Sequence, residues 1–251
     1  MYKSFCTLLA LAFLTFSTAC GLASTPLEDM IPQGQVVPPE ETVDRRKVET
    51  AAAKTLPEVA IVQKYIKITN KRYELIREYS KIHYGREILN ITPKAVVVHW
   101  TVSNDWESVY DYFYNETGTD DEGGSLNVSS QFLVARDGTI YQLTPETLLN
   151  RHAIGLNWCA IGIENVGGVG GEEDLTEAQL QANIKLITYL HAKYPTITNV
   201  LGHYQQVYAK NTDLWREDMA DYYADKIDPG PSFMRSLRIA LSPLGLHFFQ
   251  E

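Results

Sequence analysis

Two histidines follow short apolar runs that have the composition of buried strands. His99 comes directly after three valines at residues 96–98, and His203 comes after Gly202 and a shorter apolar pair. β-Branched runs are typical of strands, and the binding sites of α/β sheets collect where strands end. The two imidazoles are therefore candidate metal ligands at a sheet edge, although each could equally be a structural histidine near a loop.

A carboxylate on a rigid turn supplies a third candidate ligand. Asp228 stands in the sequence Lys-Ile-Asp-Pro-Gly-Pro at residues 226–231. The two prolines fix φ and the glycine between them permits a tight bend, so the carboxylate loses little entropy when it binds. Two histidines and one carboxylate leave a fourth position for water, which is the composition of a catalytic zinc site. Taken alone, the segment could also be an ordinary turn.

The elements that would position these residues alternate between strands and helices. Apolar spacing predicts a helical stretch from Pro57 that is broken near Thr69 and resumes through Tyr79. It also predicts strands at 96–99, 160–166 and 200–201. Two further strands, 131–135 and 139–143, are joined across Asp-Gly, which favours a hairpin. The other predicted helices cover 105–114, a long stretch beginning at Thr176, and 232–241. This alternation predicts an α/β fold, with a mixed central sheet flanked by helices on both faces.

Composition restricts the class of protein and of partner. The chain has 251 residues, of which 45% are hydrophobic and 21% are charged, as in an ordinary globular protein. Its formal net charge is -9, and no stripe of Lys and Arg offsets that charge locally. Nucleic-acid binding is therefore not expected. Three cysteines give no disulfide framework.

The first residues read as an export signal followed by a tether. A lysine precedes a short apolar run that is too short to span a membrane, and small residues follow it. Residues 17–21 are similar to a bacterial lipobox, in which Cys20 is lipidated, although ordinary signal cleavage is an alternative. We expect a lipoprotein-type signal at 1–19, a flexible Pro-rich tether at 20–55 and one folded domain at 56–251.

Together these residues resemble the type 2 zinc-dependent N-acetylmuramoyl-L-alanine amidases, relatives of the peptidoglycan recognition proteins. The resemblance covers about residues 94–235, and its nearest subgroup is the membrane-anchored bacterial amidases. The matching segments follow the family's order: 96–101, 130–143, 152–155, 161–164, 201–203 and 226–233.

The resemblance implies a fold, a cofactor and a reaction. It implies a single type 2 amidase-like domain in which His99, His203 and Asp228 hold Zn²⁺. It also implies that Glu164 is the catalytic carboxylate and that Lys226 assists at the oxyanion. The reaction would be hydrolysis of the amide between the lactyl group of N-acetylmuramic acid and L-alanine of the stem peptide.

Three departures from the family pattern affect the walls of the expected site. His203 and Asp228 are 25 residues apart, whereas many relatives place these ligands much closer together. The extra segment, residues 213–224, is acidic and aromatic, and we expect a small helical insertion beside the cleft. Gln131 stands where many members have His. Ser130 stands where others have Tyr, which excludes a Tyr-assisted mechanism from that position, and Ile154 replaces a small residue.

The residues themselves suggest roles for the catalytic pair. Glu164 ends an apolar run, which is unusual for an exposed carboxylate, and we expect it to take a proton from the attacking water. An edge-strand carboxylate without function is the alternative. Lys226 lies two residues before Asp228, so an extended chain would point both side chains to one face, although a solvated lysine is also possible. We interpret His152 as a residue that binds substrate or hydrogen-bonds a ligand, and Asn157 as a residue of the same loop.

The expected partner is peptidoglycan or its muropeptide fragments. The protein would be a monomer, exported and anchored through lipidated Cys20, facing the periplasm. Because Gly21 gives no sign of inner-membrane retention, the outer membrane is favoured. Two rival functions remain: a non-catalytic module that binds peptidoglycan, and a lipoprotein with purely structural duties. The presence of all three candidate ligands together with Glu164 favours an enzyme over a binding module, and a purely structural role would require the matching segments to be coincidental.

Overall fold

A seven-stranded sheet organises the residues that the computed structural model describes, which are 55–118 and 124–249. The strands are β1 (Val62–Gln63), β2 (Ala95–Trp100), β3 (Phe132–Val134), β4 (Ile140–Gln142), β5 (Ala160–Asn165), β6 (Asn199–Gly202) and β7 (His247–Phe248). Their order across the sheet is β1-β4-β3-β5-β2-β6-β7. Neighbouring strands are parallel except β3 and β4, which are antiparallel. The expected signal and almost all of the tether lie outside the described residues.

The central strands β2 and β5 are buried on both faces. All six residues of β2 are buried, as expected for a strand in the middle of a largely parallel sheet. The parallel register pairs His99 with Glu164 and Val98 with Gly202. Because β2, β5 and β6 are parallel, their carboxyl ends meet at one edge of the sheet. Paired residues of neighbouring strands also share a face, so the side chains of His99 and Glu164 lie on the same side of the sheet.

Helices cover both faces of the sheet, as the sequence predicted. They are α1 (Asn70–Tyr84), α2 (Trp106–Tyr114), α3 (Glu177–Lys193), the short α4 (Gln206–Ala209) and α5 (Pro231–Leu241). Leu186 and Leu190 of α3 and Leu237 of α5 pack in one core with the face of the sheet that carries Val98. On the opposite face, α2 packs beside Leu133, the register partner of Glu164.

Local side-chain chemistry sets the start of two helices. The Asp105 carboxylate accepts hydrogen bonds from the backbone of Glu107 and Ser108, at 3.3 and 3.1 Å, and so caps α2. Thr176 and Gln179 form a reciprocal capping box at the start of α3. Both helix starts agree with the sequence prediction.

Within the described ranges, no helix is both long enough and apolar enough to cross a membrane.

Two predictions about secondary structure were wrong. The stretch from Pro57 to the predicted break is not helical, because the backbone amides of Lys64 and Ile66 donate to carbonyls of β4 and of the residue after it. The part after the break is helical as predicted and forms α1 from Asn70. The insertion at residues 213–224 consists of turns and extended chain without a helix. In both segments, contacts with distant parts of the chain decide the conformation.

Candidate metal centre and catalytic residues

The two histidines lie at the ends of adjacent parallel strands. His99 is the fifth residue of β2, and His203 directly follows β6 in a short 3₁₀ turn. That turn is held in place because the Gly202 backbone amide donates to the Gln205 side chain at 2.9 Å. His99 and His203 are only 1% and 6% exposed, so the sheet delivers two nearly buried imidazoles to one edge.

Asp228 reaches the same point from the turn before α5. The Tyr204 amide, next to His203, donates to the Asp228 carbonyl at 2.9 Å, which ties the turn to the end of β6. Gly230 has a φ of 87°, and a Cβ there would lie 2.5 Å from Glu173 Cγ. The Glu173 carboxylate accepts from the Ser232 amide at 2.9 Å, at the first turn of α5. The turn is therefore held on both sides of Asp228.

Three candidate ligand atoms converge. His99 Nδ1 and His203 Nδ1 are 3.0 Å apart, and they lie 3.2 and 3.1 Å from Asp228 Oδ2. A tetrahedral site with zinc–ligand bonds of about 2.0 Å requires ligand atoms about 3.3 Å apart, close to the separations seen. Nitrogen and carboxylate oxygen are donors that zinc accepts in proteins. The group fits a metal ion such as zinc.

The protonation of the cluster suits metal binding. Burial, followed by the neighbouring His99, lowers the pKa of His203 to about 4, so its imidazole is neutral at pH 7. Burial alone would raise the pKa of Asp228, but its interactions with His203 and His99 outweigh burial and hold that pKa well below its usual range. A neutral imidazole and an ionised carboxylate are the forms that bind a cation.

Glu164 places a second carboxylate beside the cluster. It is the register partner of His99, and its Oε2 atom is shut off from solvent without a hydrogen-bond partner among the described residues. Burial raises the pKa of Glu164 to about 7; Asp228 raises it further, whereas His99 and Lys226 lower it. A carboxyl group with a pKa near neutrality can accept and return a proton at physiological pH.

Lys226 lies at the mouth of the site. Its side chain is exposed, and together with His203 and His152 it lines a cavity of about 250 Å³ beside the candidate ligands. No ion pair involves Lys226 within the part of the chain that the structure describes. The ammonium group is therefore available to a bound molecule.

His152 contacts the cluster from outside it. Its Nδ1 atom is 3.1 Å from His99 Nε2, and its Nε2 atom is 3.3 Å from the Ala160 carbonyl. The Asn157 side chain accepts from the His152 and Ala153 amides at 2.9 and 2.7 Å, and its amide donates to the Tyr79 hydroxyl at 2.9 Å. All seven residues singled out from sequence thus lie at or beside one site, and His152 and Asn157 line its cavity together with Lys226.

The family of the chain is settled by a match over most of this region. Residues 89–231 match the family model for N-acetylmuramoyl-L-alanine amidase, Amidase_2, and this segment contains every residue of the site described above except Tyr79 and Ser232. The chain belongs to the N-acetylmuramoyl-L-alanine amidase family. The matched segment runs from before β2 to the first residue of α5, so it includes the strand ends and the turn that carry the three candidate ligands.

Curated relatives of this amidase-family chain are phage endolysins. The endolysin of Escherichia phage T7 is 36% identical over 77 residues, which are 29% of this chain and 51% of the endolysin. The endolysin of Klebsiella phage KP32 is 32% identical over the same length. The chain spans about half the length of the curated relatives it matches.

Solved structures with a similar chain course include amidases and recognition proteins. N-acetylmuramoyl-L-alanine amidase LysC from Clostridium intestinale URNW is 21% identical, with a TM-score of 0.45 over 76% of this chain and 100% of LysC. Human PGRP-IβC, solved in complex with glycosamyl muramyl pentapeptide, is 21% identical, with a TM-score of 0.43 over 64% of this chain and 88% of that one.

The insertion of this amidase-family chain forms one wall of the cavity. Its Tyr222 and Tyr223 line the cavity, and the Tyr222 hydroxyl accepts from Arg151 at 2.9 Å. At the base of the insertion, a Cβ on Gly155 would lie 2.6 Å from the Trp215 ring, so only glycine permits this packing. The insertion is thus anchored to the loop that carries His152.

Several supporting residues were missed from sequence. His83 of α1 is buried and pairs with Glu217 of the insertion at 2.8 Å. Gln131, noted as a departure, accepts from the Gly162 amide at 2.7 Å and donates to the Leu148 carbonyl at 2.9 Å. The partners of His83 and Gln131 lie far away in sequence, so no local pattern reveals them. The only local signal is that His83 lies four residues after Tyr79 and therefore on the same face of α1.

Proposed function

We propose that this chain is a zinc-dependent hydrolase that cleaves the amide between N-acetylmuramic acid and L-alanine in peptidoglycan or its fragments. One observation carries the proposal: three donor atoms, 3.0–3.2 Å apart, converge beside a partly buried carboxylate in a chain of the amidase family. The fold alone does not determine function, so the support comes from the donor atoms of the site and the family of the chain.

His99, His203 and Asp228 would hold the ion. A bound Zn²⁺ polarises a carbonyl and lowers the pKa of water toward about 7, which together address the poor electrophile and poor nucleophile of amide hydrolysis. An imidazole that binds a metal is uncharged and Asp228 brings one negative charge, so a divalent ion held by these three residues would keep a net positive charge.

Glu164 and Lys226 would move the proton and stabilise charge. Glu164 takes a proton from the attacking water, whose oxygen adds to the carbonyl carbon. The C–N bond then breaks, and Glu164 returns the proton to the departing amine of L-alanine. Lys226 faces the carbonyl oxygen as negative charge develops there, an interaction worth about 3–4 kcal/mol in comparable sites.

The bond specificity is tested on isolated peptidoglycan. The purified chain is incubated with the polymer, with and without a chelator, and soluble products are analysed by mass spectrometry. We expect free stem peptides that begin with L-alanine, lost on chelation and restored by added Zn²⁺. Products that begin at another residue, or reducing sugar ends without free peptides, would contradict the assignment of the bond.

Glu164 separates an enzyme from a binding module. The Glu164→Gln variant should retain zinc and peptidoglycan binding but lose turnover, since Gln cannot accept the proton. If the wild-type chain binds peptidoglycan and releases no peptide under any metal condition, it is a recognition module. If Glu164→Gln hydrolyses at the wild-type rate, the role of Glu164 is wrong.

We also propose that the protein is exported and anchored through a lipid on Cys20. The support is the sequence of residues 1–21, with its apolar run and small residues before the cysteine. Cells that express the chain are labelled with a fatty-acid analogue, and Cys20→Ala serves as the control. Label on wild type alone is expected, whereas unlabelled wild type would indicate ordinary cleavage.

A further inference from the structure

Both ring nitrogens of His152 are engaged by the protein. Nδ1 lies 3.1 Å from His99 Nε2, and Nε2 lies 3.3 Å from the carbonyl oxygen of Ala160. The two imidazole rings are nearly perpendicular, at 88°, so the His152 ring edge meets the outer nitrogen of His99. Of the two roles that the sequence suggested for His152, this arrangement favours hydrogen bonding to a ligand over substrate binding, because neither nitrogen is left free for a substrate.

The Ala160 carbonyl fixes the direction of the hydrogen bonds. A carbonyl oxygen only accepts, so a neutral His152 must carry its proton on Nε2 and present an unprotonated Nδ1. That Nδ1 can only accept, so His99 must carry its own proton on Nε2. The remaining nitrogen of His99, Nδ1, is then unprotonated and faces His203 and Asp228, as a metal ligand requires.

The position of His152 is fixed by residues of β5, of its own loop and of α1. A Cβ on Gly162 of β5 would lie 2.8 Å from the His152 ring, so the ring rests on a glycine. Asn157 accepts from the His152 backbone amide at 2.9 Å and is itself bonded to Tyr79 of α1. The ring therefore packs against Gly162, and the backbone of His152 is fixed by Asn157.

We propose that His152 is a positioning residue that holds His99 in the tautomer with an unprotonated Nδ1 and thereby strengthens zinc binding. The inference rests on the proposed metal site and extends it to a specific residue outside the ligands. His203 has no equivalent support, because its Nε2 atom is buried without a partner among the described residues. The hydrogen-bond chain thus acts on one of the two histidine ligands.

Zinc affinity of two substitutions tests the proposal. His152→Leu removes the acceptor, and we expect the zinc dissociation constant, measured by competition with a chromophoric chelator, to rise about 10–100-fold. His152→Asn keeps an acceptor oxygen one bond beyond Cγ, where Nδ1 lies, and should retain most of the affinity. His191→Leu is the matched control, since His191 also bonds a backbone carbonyl, that of Ile197, but at the end of α3.

A second measurement needs no variant. The ¹⁵N shifts of the His99 ring in the metal-free wild-type chain should report the tautomer protonated at Nε2. The opposite tautomer, or equal zinc affinity in wild type and His152→Leu, would overturn the positioning role. If His152→Leu raises KM while zinc affinity stays unchanged, His152 binds substrate instead. If wild type binds no zinc, the metal site fails, whereas the tautomer still tests the hydrogen-bond chain.

Discussion

Burial of Glu164 should make the metal-free protein lose stability as pH rises. The pKa of Glu164 is raised from 4.5 to about 7, mainly by burial, so between these values the folded chain holds a proton that the unfolded chain has released. Stability therefore falls as pH rises through this window. The full effect is about 3 kcal/mol, and about 2.5 kcal/mol of it falls between pH 5 and 8.

Glu164→Gln removes this proton and leaves other titrating groups in place. The lowered pKa values of His203 and His152 make stability rise with pH over part of the same range, but they do so in both proteins and cancel in the difference. The free energy of unfolding is measured by urea titration at pH 5, 6, 7 and 8 in the presence of chelator. The variant should gain about 2.5 kcal/mol on wild type from pH 5 to 8.

An exposed carboxylate provides the control for this experiment. Glu172→Gln makes the same chemical change at a solvated position and should track wild type at every pH. A difference between Glu164→Gln and wild type that stays constant from pH 5 to 8 would refute the reasoning. It would mean that the Glu164 carboxylate is solvated in the metal-free protein.

Three further substitutions test other parts of the site. Asp228→Asn should weaken zinc binding by more than about 100-fold, because loss of a direct ligand should exceed the cost of losing an outer contact; equal affinity in a competition titration would exclude Asp228 as a ligand. Lys226→Ala should lower kcat by about 10²–10³ with zinc content unchanged, and a change confined to KM would indicate a binding role instead. Glu173→Ala should lower the free energy of unfolding by about 1 kcal/mol in urea, because the first turn of α5 loses an acceptor; no change would show that solvent replaces that bond.

The elements around the site were predictable because their signals are local. The run before His99 is apolar throughout, as a strand buried on both faces must be. Asp105 and Thr176 cap the helices that follow them within three residues. Such signals depend on neighbours in sequence, so they survive without knowledge of the tertiary contacts.

The failures concern contacts between distant segments. The helix expected from Pro57 was replaced by chain paired with β4, about 80 residues later, which no local spacing reveals. The roles of His83 and Gln131 depend on partners in the insertion and in β5. His99, His203 and Asp228 were expected together and lie together, while their binding of zinc stays a prediction.

The spacing of the three donor atoms along the chain gives the metal a structural consequence. His99 is 104 residues from His203 and 129 residues from Asp228. An ion bound here would join three distant segments of the native chain. The unfolded chain would not bind it, because bringing these segments together would cost loop-closure entropy. Each tenfold excess of free zinc over its dissociation constant would add about 1.4 kcal/mol to folding, so the melting temperature would report zinc supply.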